Sequence, residues 1–330
     1  ERRTIVRYVL RKLGLFLLTL WAAVTLNFLL PRLMPGSPTD AALAKLAQNG
    51  PVSPATKAAI EAQLGVPGGS VWSQYVDYLN QVVHLNFGDS YTYAEKVSTL
   101  VGQALPWTLV MVGIVTILAF VVGTLLGVFA AWHRGTWMDA LPTLAGTFLS
   151  AFPYFWTALL LVYFLGYQAK LFPTTGAYAA GTVPNASGSF LGDALMHALL
   201  PALTIFITSL GGWISGMRNS MINTLGDDYI VFAEANGLHS RTVAMRYAAR
   251  NAILPNLTSF GLALGGVVGG SLLVEQVYSY PGVGYLLYNA VTNQDYPLMQ
   301  ALFLMITVSV LLANFVVDIL YGFLDPRTRK

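Results

Sequence analysis

Six long apolar stretches constrain this chain more than any other feature of its sequence. A helix needs about 20 mostly apolar residues to cross a hydrocarbon core about 30 Å thick. Only helices and closed barrels satisfy their own backbone hydrogen bonds in lipid, and runs this long do not fit the short alternating strands of a barrel. We therefore predict an all-α polytopic membrane protein with six transmembrane helices, over residues 13–30, 107–131, 140–166, 198–217, 253–274 and 298–322.

The composition agrees with a membrane protein. Hydrophobic residues make up 55% of the 330 residues and charged residues only 10%, less than half the usual charged share of a soluble domain. A soluble fold of this size could not bury so much apolar surface. The chain has no cysteine, which excludes disulfides, cysteine-ligated metal sites and thiol nucleophiles. No long run of Lys or Arg suggests nucleic acid as a partner.

The charges flanking the apolar stretches predict an orientation. If the N-terminus is inside, the inner loops hold 13 Lys and Arg residues and the outer loops hold 5, which together account for all 18. Positive residues concentrate on the cytoplasmic side, so we expect both termini to be cytoplasmic, in a bacterial inner membrane. The basic start could also belong to a signal peptide. The first apolar run is too long for that and five more follow, which favours an uncleaved first helix.

Three regions follow from this arrangement. Residues 1–30 form the N-terminus and first helix, residues 31–106 an outer region, and residues 107–330 a core with helices 2–6 and a cytoplasmic loop over 218–252. The outer region is too polar to span. Within it we predict a turn over 35–38, a helix over 54–64 and an amphipathic stretch over 71–83. Its aromatic residues could contact substrate or anchor the membrane interface: Trp72, Tyr75, Tyr78, Tyr91 and Tyr93.

The loop over 218–252 is the most informative stretch. Asp227 and Asp228 are predicted to cap a short helix that Gly237 ends, and Ser240 to cap a second helix that runs to about residue 253. Such a helix, glycine, helix element suits the docking of a cytoplasmic protein. The alternative is a surface helix held by anionic lipid through three basic residues: Arg241, Arg246 and Arg250.

Several kinds of chemistry find no support in the sequence. There is no Gly-Lys-Ser or Gly-Lys-Thr, so a phosphate-cradling P-loop is absent and any ATP must be hydrolysed by a partner. The four histidines are too far apart to suggest a metal site. Glu275 and Asp318 are the ionisable groups near span ends, and we favour interface positions for both. A proton-coupled carrier would need a chain of buried carboxylates, which no predicted helix has.

Glycines recur at intervals of four in the predicted spans, as in Gly123 with Gly127 and in Gly261, Gly265 and Gly269. This spacing lets helices approach closely, so packing is the favoured explanation. The alternative is that the fifth helix hinges or slides beside a translocation path. For that path or its gate we name four candidates: Glu275, Gly265, Gly269 and Asn314.

The chain resembles the permease subunits of binding-protein-dependent ABC importers, in the dipeptide and oligopeptide class. Residues 232–238, Phe-Ala-Glu-Ala-Asn-Gly-Leu, with Asn-Ala-Ile-Leu-Pro at 251–255, look like the EAA loop of that class. Val231 stands where the wider superfamily has the leading Glu, so a salt bridge from that Glu does not carry over. Further similar motifs follow the family's order over nearly the whole chain, at residues 35–38, 87–90, 105–109, 275–284, 295–297 and 325–327.

The resemblance implies a type I ABC importer permease fold that provides half of a translocation pathway. It implies a second homologous permease as a heterodimer partner, two ATPase subunits that bind ATP and Mg²⁺, and an extracytoplasmic substrate-binding protein. The chain itself would be non-catalytic and would bind no cofactor. Contact with the ATPases would fall on the EAA loop: Ala233, Glu234, Ala235, Gly237 and Leu238.

Substrate and transport class leave alternatives open. The family favours di- and oligopeptides, with oligosaccharides as the closest rival, because a path with little buried charge suits both. A secondary carrier would show inverted repeats and buried ion ligands, and neither is found. A receptor-like or structural membrane protein would lack the glycine-rich fifth span and the inner-loop element.

Overall fold

A computed structural model describes residues 2–33, 53–54, 70–185 and 187–324. In these ranges the regular secondary structure is helical, and the only extended pairing is an isolated antiparallel bridge between Asp89 and Lys96. The predicted turn over 35–38 lies outside the described residues, as does the predicted helix over 54–64 apart from its first residue. The amphipathic stretch over 71–83 is an α-helix with the same bounds.

Up to Leu225 the described chain contains three long helices, one short helix and a bent pair. Its elements are α1 (Arg2–Leu33), α2 (Val71–Val83), α3 (Val97–Trp132), α4 (Trp137–Ala151), α5 (Tyr154–Leu161) with a π-helical continuation (Val162–Gln168), and α6 (Gly188–Leu225).

After Leu225 the described chain holds shorter elements and one long final helix. They are α7 (Asp228–Ala235), α8 (Ser240–Thr242), a π-helical segment (Val243–Ala248), α9 (Ala249–Gly266), a 3₁₀ turn (Val267–Gly269), α10 (Leu272–Val277), α11 (Val283–Thr292) and α12 (Tyr296–Leu324).

Five helical segments in the described part of the chain are long and apolar enough to cross a membrane. They are Leu10–Leu29, Val97–Trp132, Gly188–Leu225, Ser240–Val277 and Tyr296–Ile319. A sixth is reached if the pair Trp137–Ala151 and Tyr154–Gln168, bent by 93°, forms one span. These findings confirm the all-α polytopic fold.

The stretch predicted as one helix over 140–166 is broken at Phe152 and Pro153. Phe152 has an extended backbone with ψ of 133°. Proline lacks an N–H and its ring disfavours helical geometry in the residue before it, which explains why α4 ends there. Uniform hydropathy across the break concealed it from the span prediction.

The glycine rows pack helices together, as their spacing predicted. A Cβ added to Gly127 would lie 2.6 Å from the Ile214 carbonyl oxygen, so α3 and α6 touch there through their backbones. A Cβ added to Gly261 or Gly265 would overlap the side chain of Val317 or Ala313 of α12. The fifth span is therefore held tightly against the last helix.

The first helix is fixed to α12 and α2 by polar contacts. Lys12 Nζ lies 2.6 Å from Asp318 Oδ2. Fifteen residues further on, the Asn27 side chain donates to the Tyr78 hydroxyl at 3.0 Å and to the Gln300 carbonyl at 2.8 Å. Tyr78 is buried against Phe28, so this aromatic residue of the outer region has a packing role. Amphipathic α2 thus lies against the ends of α1 and α12.

Candidate functional site

The loop between the fourth and fifth long apolar segments forms a compact helix, glycine, helix element. Asp227 occupies the N-cap position of α7, although its side chain makes no capping hydrogen bond. Gly237 has a φ of +74°, a left-handed conformation that favours glycine, and its N–H donates to the Glu234 carbonyl at 2.9 Å. The predicted stop at Gly237 is confirmed.

The cap of the second helix differs from the prediction. His239, and not Ser240, is the N-cap: its Nδ1 accepts a hydrogen bond of 3.2 Å from the Arg241 N–H. Serine is the commoner cap, which explains the error. From Ser240 the chain continues through the π-helical segment into α9 without a break.

Helical phase divides α7 into a buried and an exposed face. Ile230 and Ala233 are 1% and 3% exposed, in a core cluster with Met217, Met221 and Val243. On the opposite face, Val231 and Phe232 are 58% and 71% exposed. Exposure of a large aromatic and a β-branched side chain together marks a surface suited to a protein partner.

The structure therefore separates the residues predicted to contact the ATPases. Glu234, Ala235 and Gly237 are exposed, and Leu238 is 39% exposed. Ala233 is buried and holds α7 to the bundle. Phe232 is the most exposed large residue of the element and was missed. Its signal was present in the sequence, because Phe232 lies two positions from Ile230 and so points away from the buried face.

Two side-chain contacts hold this element and the helix before it to neighbouring helices. The Asn251 amide donates to the Tyr229 hydroxyl at 2.8 Å, which joins α7 to α9. Nearer the membrane segments, Arg218 of α6 meets Asp139 of α4 through two hydrogen bonds: Nε to Oδ1 at 2.5 Å and a terminal guanidinium nitrogen to Oδ2 at 2.7 Å. A bidentate pair with Asp139 buried fixes both distance and angle between the two helices. Because α7 packs against α6, these contacts connect α7 to α9 directly and to α4 through α6.

At the opposite end of the bundle, Glu275 lies in an enclosed polar site. Its side chain is fully buried within the protein, near the end of the span Ser240–Val277. Oε1 accepts from the Thr108 hydroxyl at 3.0 Å, and Oε2 accepts from the backbone N–H groups of Gly284 and Tyr285 at 2.7 and 3.1 Å. The two N–H groups belong to the first turn of α11, where a negative charge is favourable. Glu275 thus joins α3, α10 and α11.

Tyr280 lies beside this site in the connection from α10 to α11. Burial raises the pKa of its hydroxyl above the ordinary value, and the nearby charge of Glu275 raises it further. Tyr280 stays neutral at physiological pH, and its ring packs edge-on against Trp107. Both residues belong to motifs that the sequence singled out separately.

Asp295 forms a second buried connection at the same end. It is fully buried, and its carboxylate accepts hydrogen bonds from the Ser90 hydroxyl, from the Thr92 N–H at 2.9 Å and from the Leu298 N–H at 3.3 Å. The last of these caps α12. Burial raises the pKa of Tyr91, and the charge of Asp295 adds to that rise. The motifs at 87–90 and 295–297 are therefore one structural unit.

The other predicted pathway residues lie between helices. Gly265 contacts α12 at Ala313, and a Cβ at Gly269 would lie 3.2 Å from Ile306 Cγ2. Asn314 is half-buried on α12. With Glu275 enclosed, the four candidates do not converge on one cavity.

Residues 123–330, from the middle of α3 to the end of the chain, match the family described as "Binding-protein-dependent transport system inner membrane component". The chain belongs to this family. The matched part of this inner membrane component includes α7, the Arg218–Asp139 pair and the Glu275 site.

Named relatives cover nearly all of this inner membrane component. It is 34% identical to the di/tripeptide transport system permease protein of Pseudomonas aeruginosa, over 98% of each chain. It is 31% identical to the dipeptide transport system permease protein of Escherichia coli, also over 98% of each. For the oligopeptide transport system permease protein of Bacillus subtilis the identity is 30%, over 97% of this chain and 98% of the relative.

Proposed function

We propose that this chain is the permease subunit of an ATP-driven importer of di- or oligopeptides. The observation that supports this most strongly is the similarity, over almost the full length, to permease proteins of dipeptide and oligopeptide transport systems. Their names favour peptides over oligosaccharides, which the sequence alone left open. Family membership also argues against a secondary carrier and a receptor-like protein.

Energy for transport comes, in this proposal, from two ATPase subunits that bind ATP and Mg²⁺. The chain has no P-loop, and α7 offers an apolar contact surface at Val231 and Phe232, with Leu238 beside it. We assign this surface, with Glu234, Ala235 and Gly237, to ATPase contact. The buried side of α7, including Ala233, anchors it to α6 and α9.

The proposal places the chain in the bacterial inner membrane with both termini and α7 in the cytoplasm. The distribution of Lys and Arg supports this orientation. A second, homologous permease completes the pathway, and a substrate-binding protein delivers peptide to the opposite face. The ends of α3, α11 and α12, joined by Glu275 and Asp295, form a rigid support for that delivery.

Purification of the tagged chain in mild detergent tests the proposed assembly. We expect a homologous permease and P-loop ATPases to remain bound, and the binding protein to be retained when peptide is added. Recovery of the chain alone, from membranes where it transports without ATP, would overturn the proposal.

A further inference from the structure

A cleft of about 460 Å³ lies at the break between α4 and α5. Ser150, Phe152 and Tyr154 line it from the bent pair, Thr208 and Ser209 from α6, and Ser271 from the start of α10. Its volume lies within the range typical of small-ligand sites. None of the described residues that line it is charged.

The cleft lies at membrane depth. Thr208 and Ser209 are near the middle of the 38-residue α6, and Ser150 accepts a hydrogen bond of 3.1 Å from the Gly211 N–H one turn further along. Irregular backbone at this depth is tolerated where it is buried in protein or lines a cavity that holds water. The 93° break at Phe152 and Pro153 meets that condition if the cleft is hydrated.

The hydroxyl groups differ in what they can still bind. Thr208 donates to the Thr204 carbonyl at 2.8 Å and Ser209 to the Ile205 carbonyl at 2.7 Å. Their protons are therefore used within α6, while their oxygen lone pairs can accept. Ser150 uses a lone pair for Gly211 and keeps its proton for donation. The Ser271 side chain does not cap α10. The cleft thus offers both acceptors and a donor without a net charge.

We propose that this cleft is the part of the translocation path that contacts the passing peptide, with Ser150, Thr208 and Ser209 hydrogen-bonded to its backbone. A peptide backbone alternates N–H donors and C=O acceptors, which this set of hydroxyls matches irrespective of side chains. Phe152 and Tyr154 supply the apolar contact that variable side chains need. The inference rests on the proposed import of peptides and adds where the chain touches them.

The contrast with the outer face of α4 supports this assignment. Leu141, Leu144 and Phe148 on the same helix are 62%, 68% and 64% exposed and suit contact with lipid or another apolar helix. The hydroxyl groups at the break are not suited to contact with lipid, where exposed polar groups are energetically costly.

Cysteine reactivity in the reconstituted importer tests the cleft, because the natural chain contributes no cysteine. Thr208→Cys and Ser271→Cys are compared with Leu18→Cys, which is 60% exposed in the first span. The probe is a charged methanethiosulfonate, which needs a hydrated thiolate. We expect both cleft variants to react at least about tenfold faster than Leu18→Cys during ATP turnover. A peptide that the importer transports should slow both reactions.

The outcomes separate the inference from the proposed function. The inference alone is overturned if the importer takes up peptide but Thr208→Cys reacts as slowly as Leu18→Cys. The same holds if peptide does not change the reaction rate of Thr208→Cys. A reactive Thr208→Cys, together with an unsubstituted importer that takes up no peptide, would overturn the proposed function and, with it, the peptide as occupant. Peptide uptake should also fall several-fold in Thr208→Val and recover in Thr208→Ser. Equal uptake by these two variants would count against the hydroxyl's role.

Discussion

Thr108 and Glu275, which are 167 residues apart in sequence, meet in a buried site where the Thr108 hydroxyl donates to Glu275 Oε1 at 3.0 Å. The same hydroxyl oxygen accepts a hydrogen bond of 2.7 Å from the Val283 N–H. One threonine thus satisfies both the carboxylate and the start of α11. Two separate sequence motifs are in this way joined into one structural site at the end of the bundle opposite α7.

Thr108→Val should destabilise the protein because it leaves the Val283 N–H buried without its acceptor. We expect a loss of about 2 kcal/mol in the free energy of unfolding. Thermal unfolding of the detergent-purified complex measures it. Thr116→Val is the matched control, since the Thr116 hydroxyl bonds only within α3, to the Val112 carbonyl at 2.7 Å. Equal stability of the two variants would contradict the role assigned to Thr108.

Asp295→Ala should loosen the segment from Ser90 to Thr92 and the start of α12 together, because one carboxylate accepts from both. Loss of the cap alone costs about 1 kcal/mol. Hydrogen exchange should show faster exchange of the Thr92 and Leu298 amides. Asp89→Ala, at the exposed position just before this segment, should leave both amides protected. Unchanged protection in Asp295→Ala would contradict the connection.

The sequence predicted the spans well because length and hydropathy alone determine whether a helix can cross a membrane. The short helix ended by Gly237 was predictable because the need for a left-handed residue is local. The environment of Glu275 was not, since its partners Thr108 and Gly284 come from other elements. For the same reason the contact between Ser90 and Asp295 could not be read from either motif alone.

Two local signals in the sequence were overlooked when the spans and the contact residues were predicted. Pro153 was a readable sign of the break, but a run of apolar residues on both sides concealed it. Ala233 belongs to the motif that carries the resemblance, yet helical phase buries it and exposes Phe232 instead. A motif marks where an element lies, whereas the phase of the helix decides which of its residues a partner can reach.

The pair of Arg218 and Asp139 should show strong energetic coupling. In a double-mutant cycle with alanine at each position, we expect an interaction free energy of about 2 kcal/mol, because Asp139 is buried and the pair is bidentate. The pair of Lys12 and Asp318 is the comparison, with side chains 29% and 50% exposed. There we expect less than about 1 kcal/mol. Equal interaction free energies in both cycles would contradict a strong connection between α4 and α6 through Arg218 and Asp139.

Phe232→Ala should weaken the hold on the ATPase subunits without unfolding the chain, because its side chain is 71% exposed. We expect loss of an exposed apolar anchor to reduce the retained ATPase about tenfold on purification. Phe164→Ala is the control: this aromatic is 53% exposed at the far end of the bent pair, away from α7. Retention that falls equally in both variants would point to a general loss of structure.

The most direct test of the account is uptake of a labelled dipeptide by proteoliposomes that contain the purified complex and its binding protein. We predict uptake that requires ATP and Mg²⁺, that persists in Phe164→Ala and that is lost in Phe232→Ala. Uptake without ATP, or undiminished uptake in Phe232→Ala, would contradict the claim that this chain is a permease driven through α7.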